Sequence, residues 1–246
     1  LLFAVVVAVD AVASVVSPLR RVLHIVVVRP LLFVVGFVWI DVRSDKGPLK
    51  RIIVTNCKSY VDVLIWAYRA SPVFCFARGA EGVSVHESIW SAVSFILSRG
   101  ANANVVALST LSSSRYAGRS VVIFAEGTTS NHEKCLLKIE DDFVPLLDAF
   151  LQREAHTYAL LAYASKAVAF VGVEGFALHV LNVIGGFYNA VIVWELSAAA
   201  SSSAVNNWQA LATKAGYRVM GLSRKEKLTF VEYFVTGKKP GEVETQ

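Results

Sequence analysis

Cysteine is scarce, and its three copies, Cys57, Cys75 and Cys135, form no Cys-x-x-Cys pair. An odd, widely spaced set supports neither a disulfide framework nor a zinc site, and it fits a reducing compartment. Basic residues are scattered, apart from Arg20-Arg21 and Lys238-Lys239. There is no stripe of basic and aromatic residues and no zinc-finger or RNA-binding signature, so nucleic acid is a poor partner. No signal-peptide cleavage pattern stands near the start, no internal repeat stands out, and nothing in the sequence demands a metal. The chain opens on Leu1 rather than Met, as expected if a further segment preceded it. A membrane-spanning helix needs about 20 continuous apolar residues, and neither of the two N-terminal apolar blocks reaches that length unbroken.

What is present in excess is apolar side chain. Hydrophobic residues make up 55% of the 246, against roughly 45–50% in ordinary globular domains. This excludes disorder over most of the length and points to contact with a membrane. The net charge of +5 suits an anionic surface such as phospholipid headgroups or the phosphates of CoA. Residues 1–41 fall into two apolar blocks. Block 1–16 carries one acid, Asp10, and block 22–40 is interrupted by His24, Arg29 and Pro30. The Ser-Pro-Leu-Arg-Arg breaker at 17–21 separates them. Two apolar helices are expected, embedded in one leaflet or just reaching across; the alternative is a buried hairpin of a soluble core.

From residue 51 the pattern changes to short alternating elements. Strands are expected at 51–55, 72–76, 104–107, 120–124, 157–163 and 190–196. Helices are expected at 60–69, 86–97, 206–216 and 224–234, with 109–118 either helix or loop. Strands alternating with helices predict a single α/β domain with a mixed, mainly parallel sheet flanked by helices. The chain then divides into a membrane-associating helical pair at 1–41, the α/β domain at 42–236 and a polar tail at 237–246.

Two segments are unlike ordinary core. Asn56-Cys57-Lys58-Ser59-Tyr60-Val61-Asp62 stands where a strand gives way to a helix. Phe124-Ala125-Glu126-Gly127-Thr128-Thr129-Ser130-Asn131 follows another strand. Ligands of α/β sheets gather at the carboxyl ends of strands, and a turn rich in Gly and hydroxyls can present N–H groups to a phosphate. Each segment also has a plain structural reading. Ser59-x-x-Asp62 is a capping-box pattern, and Glu126-Gly127-Thr128 can be a simple turn.

Taken together, Asn-x-x-Ser-x-x-Asp and Phe-x-Glu-Gly-Thr-x-Ser-Asn resemble motifs one and three of the glycerolipid acyltransferases, the lysophosphatidic acid and lysophosphatidylcholine acyltransferase group. The Thr-Thr-Ser-Asn ending is most similar to fungal-type and lysophosphatidylcholine-type members. The resemblance implies transfer of a fatty acyl group from acyl-CoA, as co-substrate and without a resident cofactor, to a lysophospholipid. It also implies a membrane location, endoplasmic reticulum or lipid droplet, with the site facing the cytosol. Cys57 and Asp62 occupy the catalytic positions; Asn56, Ser59, Glu126, Gly127, Thr128, Thr129, Ser130 and Asn131 occupy the substrate-binding ones.

The chain departs from the family pattern twice. Cys57 stands where the family has the His that takes the proton of the acceptor hydroxyl. A thiol near 8.5 is a better nucleophile than base, and a nearby carboxylate raises it further. Three readings stay open: Cys57 carries the acyl group as a thioester; His86 or His132 supplies the base; or the chain is a weak or inactive relative that binds lipid or acyl-CoA. Thr129 replaces the Arg that many members match to an acceptor phosphate; the Arg of the family's second motif has no clear counterpart either, with Arg78, Arg99 and Arg115 as the candidates. His24 and His179 read as structural, Trp66 and Trp90 as core, Trp39 as an interface anchor, and Asp141-Asp142 as a solvated turn.

Overall fold

The computed structural model describes residues 17–44, 48–100, 104–130, 134–170, 175–186, 188–197 and 202–236. Its centre is a set of strands: β2 (Ile52–Thr55), β3 (Val73–Ala77) and β6 (Val121–Phe124), each made of consecutive buried residues, and β8 (His156–Tyr163), buried from 157 to 161. Runs such as Ile-Ile-Val and Val-Val-Ile-Phe are apolar on both faces, as required of parallel strands covered by helices on both sides. These four strands are parallel, in the order β8-β2-β6-β3. The sheet is extended on one side by β9 (Ala190–Ser197), antiparallel to β8, and then β1 (Trp39–Ser44). On the other side come β4 (Val83–His86) and β5 (Val105–Val106), both in antiparallel pairings. Among the described residues the sheet therefore has eight strands, mixed and mainly parallel at its centre.

Side chains alternate between two cores. Ile53, Phe74, Phe76, Val122, Phe124 and Leu161 face one layer. That layer holds α1 (Ser17–Val34), α2 (Tyr60–Ala70), α3 (Ile89–Leu97) and α5 (Phe176–Gly185). Ile52, Val54, Ile123 and Leu160 face the other, with α4 (Val144–Leu151) and α6 (Ala204–Lys214). A two-stranded parallel sheet, β7 (Cys135–Leu136) with β10 (Arg218–Val219), and α7 (Arg224–Thr236) complete the fold.

Of the expected N-terminal helical pair, the second helix is present with other bounds than its apolar block. Block 1–16 lies outside the described residues. The second helix starts earlier than its apolar block, because Ser17-Pro18 opens a helix: proline is tolerated in a first turn. It ends at Val34, before Gly36 at φ 88°, so Trp39 and Ile40 belong to β1, which runs across the 41/42 boundary drawn from composition. Val28, Leu31, Leu32 and Phe37 are buried in the first core. No helix among the described residues is long and apolar enough to cross a membrane. Trp66 is buried as expected, but Trp90 is exposed, on the outer face of α3. His24 and His179 are buried and hydrogen-bonded to Ser71 and Tyr60. The polar tail 237–246 lies outside the described residues.

Candidate functional site

The site is built at the carboxyl ends of β2 and β6. These strands are adjacent and parallel, with Thr55 opposite Phe124, so the segments leaving them emerge side by side. Asn56 fixes the first turn: its amide donates to the Leu161 carbonyl at 3.1 Å and accepts from the Leu161 N–H at 2.8 Å. Ser59 then caps α2, and Asp62 returns the capping box. One Asp62 oxygen accepts from the N–H groups of Lys58 and Ser59, and the other accepts from the Tyr163 hydroxyl. The capping reading of Ser59-x-x-Asp62 is thus realised in full, with the Asp62 side chain buried.

The second turn is tied to the first through the main chain of Cys57. Glu126 accepts from the Cys57 N–H at 3.0 Å and, with its other oxygen, from the Leu137 N–H at 2.7 Å. The Ser130 N–H donates to the Cys57 carbonyl at 2.7 Å. Gly127 has φ 62°, and a Cβ there would stand 2.3 Å from the Ala77 carbonyl oxygen, so only glycine fits. Thr129 is held by the Lys227 ammonium, which donates to its carbonyl and, at 3.0 Å, to its hydroxyl. Lys58 reaches the Cys135 carbonyl at 2.7 Å.

Burial governs the electrostatics. It pushes Glu126 up to about 7, against the pull of Lys58 and of its two N–H donors. It pushes Asp62 up to about 6, opposed by the Tyr163 hydrogen bond. Burial raises the Cys57 thiol well above its ordinary value, and the Asp62 and Glu126 carboxylates raise it further. Lys227 is lowered to about 8 by desolvation. Burial and the two neighbouring carboxylates disfavour the thiolate, which is the nucleophilic form of cysteine.

Beside the second turn lies a cavity of about 30 Å³. Its polar side is Gly127, Thr128, Thr129, Arg99 and Lys227; its apolar side is formed by Phe76, Phe95, Phe170 and Val231. Space of this size takes water-sized occupants, whereas small-molecule sites run to roughly 300–1,000 Å³. A lipid is larger than this space.

Of the expected site residues, Asn56, Cys57, Ser59, Asp62, Glu126 and the turn 127–130 come together. His86 does not join them. On β4, in register with Phe74 of β3, it lies three strands from β2, roughly 14 Å across the sheet at about 4.8 Å per strand, and its ring packs on Phe76 and Phe95, which line the cavity. It is buried between Ser84 and Ser91, and burial lowers it to about 4. Asn131 and His132 lie outside the described residues. Of the candidate cations, Arg99 lines the cavity, Arg78 lies over the Phe95 ring, and Arg115 is exposed in an ion pair with Glu87. Two members escaped sequence reading. Lys227 sits in an ordinary-looking helix almost 100 residues downstream of Thr129, and Tyr163 ends a strand. Neither carries a local signal, because each enters the site only through strand order and helix docking.

Among the described residues, no cluster of three or more His, Cys, Asp or Glu side chains could hold a metal ion. Compared with family models, curated proteins and solved structures, the chain matches none of them.

Proposed function

We propose that the chain transfers a fatty acyl group from acyl-CoA to the free hydroxyl of a lysophospholipid. One observation carries the reading: two turns that resemble acyltransferase motifs one and three leave neighbouring parallel strands and are joined by Glu126, next to a cavity with cations on one side and aromatic rings on the other. That cavity has the chemistry of a molecule with an anionic head and a hydrocarbon body. Arg99 and Lys227 stand in for the cation that Thr129 does not supply. In the reaction the acceptor oxygen attacks the thioester carbonyl, the C–O bond forms, the C–S bond breaks, and CoA leaves as a thiol carrying the acceptor's proton. Cys57 is not given the acyl group, because its thiol is buried and its thiolate is disfavoured by burial and by Asp62 and Glu126. The proton acceptor is assigned to His132, which follows Ser130 by two residues in sequence. On this reading the protein works at the cytosolic face of the endoplasmic reticulum or a lipid droplet.

A second reading, a lipid- or acyl-CoA-binding relative without turnover, is favoured by Cys57 in the base position and by the full hydrogen-bond occupancy of Asp62 and Glu126. An assay of labelled acyl-CoA against a panel of lysolipids separates the two. The proposal expects turnover with at least one acceptor, abolished in His132→Ala, retained in Cys57→Ala and without an acyl adduct on Cys57. Binding with no turnover on any acceptor, together with turnover gained in Cys57→His, would establish the second reading.

A further inference from the structure

Two helices of the first core turn apolar side chains to solvent as well as to the core. In α5, His179 and Val183 point inward, and His179 is hydrogen-bonded to Tyr60. Its outer face carries Leu178, Leu181 and Ile184, with Leu178 57% and Leu181 65% exposed. The sequence of α5 contains no charged residue. In α1, His24 is buried against Ser71, while Val22, Ile25, Val26, Phe33 and Val34 are exposed. A water-facing helix normally turns its polar residues outward, and contiguous exposed apolar surface marks an interaction site.

The two helices form one surface. The Asn189 side-chain amide donates at 2.9 Å to both the Val35 and the Val183 carbonyls, and the Asn189 N–H donates to the Gly36 carbonyl. The carboxyl ends of α1 and α5 are thereby locked together. Tyr188, beside Asn189, is 61% exposed, and Trp39, paired in register with Ala190, is 66% exposed. Both are therefore on the rim of the apolar patch. Large amphipathic aromatics at the edge of an apolar surface are the arrangement found at a bilayer interface.

We propose that α1, α5 and the Trp39–Tyr188 rim together form a docking face for a lipid surface bearing anionic headgroups. The occupant follows from charge. Neither α1 nor α5 contains an acid, Arg21 and Lys166 are exposed beside the patch, and Asp41 is taken by Arg43. Anionic lipid complements these two exposed cations. The inference rests on this face alone and stands whether or not the chain transfers acyl groups.

The test is flotation of the full chain with vesicles of phosphatidylcholine and of equimolar phosphatidylcholine and phosphatidylserine. Wild type is expected to float with both, more completely with phosphatidylserine, and to lose that advantage in high salt. Leu178→Glu/Leu181→Glu is expected to cut the bound fraction at least about tenfold. Leu146→Glu, an exposed leucine on the opposite layer, is expected to float like wild type. Trp39→Ala/Tyr188→Ala, at exposed positions on the sheet rim, supplies a second variant should the glutamates unfold α5 by circular dichroism; it is expected to lower binding about threefold. Flotation unchanged in both double variants overturns the proposal. So does a variant that converts a dimer to a monomer in sedimentation while floating like wild type, which would make the face an interface between copies.

Discussion

Replacing Glu126 with Gln should change how stability depends on pH, in a direction opposite to that of most carboxylates. Burial raises Glu126 from its ordinary 4.5 to about 7, so between those values the folded state binds more protons than the unfolded one. Stability then falls as pH rises through this window: the contribution is full below pH 4.5 and gone above pH 7. At about 1.4 kcal/mol per pH unit, the fall amounts to about 3 kcal/mol. Asp62, raised from 3.8 to about 6, adds a fall of the same sign at lower pH and is retained in the variant. Glu126→Gln keeps one acceptor oxygen and leaves one of the Cys57 and Leu137 N–H groups without its partner, a pH-independent cost of about 1–3 kcal/mol. Urea unfolding of both proteins across pH 4.5 to 7 is the assay. Wild type should lose about 3 kcal/mol relative to Glu126→Gln over that range. Parallel stability curves would refute the claim that a buried carboxylate joins the two turns.

The thiols give a second check. Cys135, half-buried, is expected to react with a disulfide reagent in the native protein, while Cys57 and Cys75, both fully buried, react only after denaturation; fast native labelling of two or more thiols would contradict the burial of Cys57. Gly127→Ala must accommodate both a positive φ and a 2.3 Å approach to the Ala77 carbonyl oxygen, and should lower stability by about 2 kcal/mol or more in thermal or urea unfolding. Asn56→Ala strips both Leu161 main-chain groups of their partner and should cost about 2–4 kcal/mol by the same measurement. On the proposed activity, Lys227→Met should raise KM for the lysolipid roughly tenfold with a smaller effect on kcat; a change confined to kcat would remove Lys227 from headgroup binding.

The central strands were readable because parallel strands covered on both faces must be apolar without interruption, and Ile-Ile-Val, Val-Phe-Cys-Phe and Val-Val-Ile-Phe have no other comfortable home. The α/β class follows from their alternation with helices such as 60–69. The edge elements were not readable. Trp39–Ser44 sits in an apolar block of helical character and becomes a strand only because β9 offers it a parallel partner. Val83–His86 is too short to announce itself without β3 beside it. The apolar helix Phe176–Gly185 showed no inside and outside until the sheet buried His179 and left Leu181 in solvent.

The sequence by itself determined the α/β class and the two turns. Strand composition and the placement of glycine and hydroxyls are local properties that need no partner to be expressed. Tertiary structure alone decided that Cys57 joins Glu126 through its backbone, that Asp62 is occupied by Tyr163, and that Lys227 meets Thr129. Each of these pairs is brought together by strand order and helix docking across long stretches of chain, and burial, which fixes the protonation of the groups involved, exists only once that chain has folded.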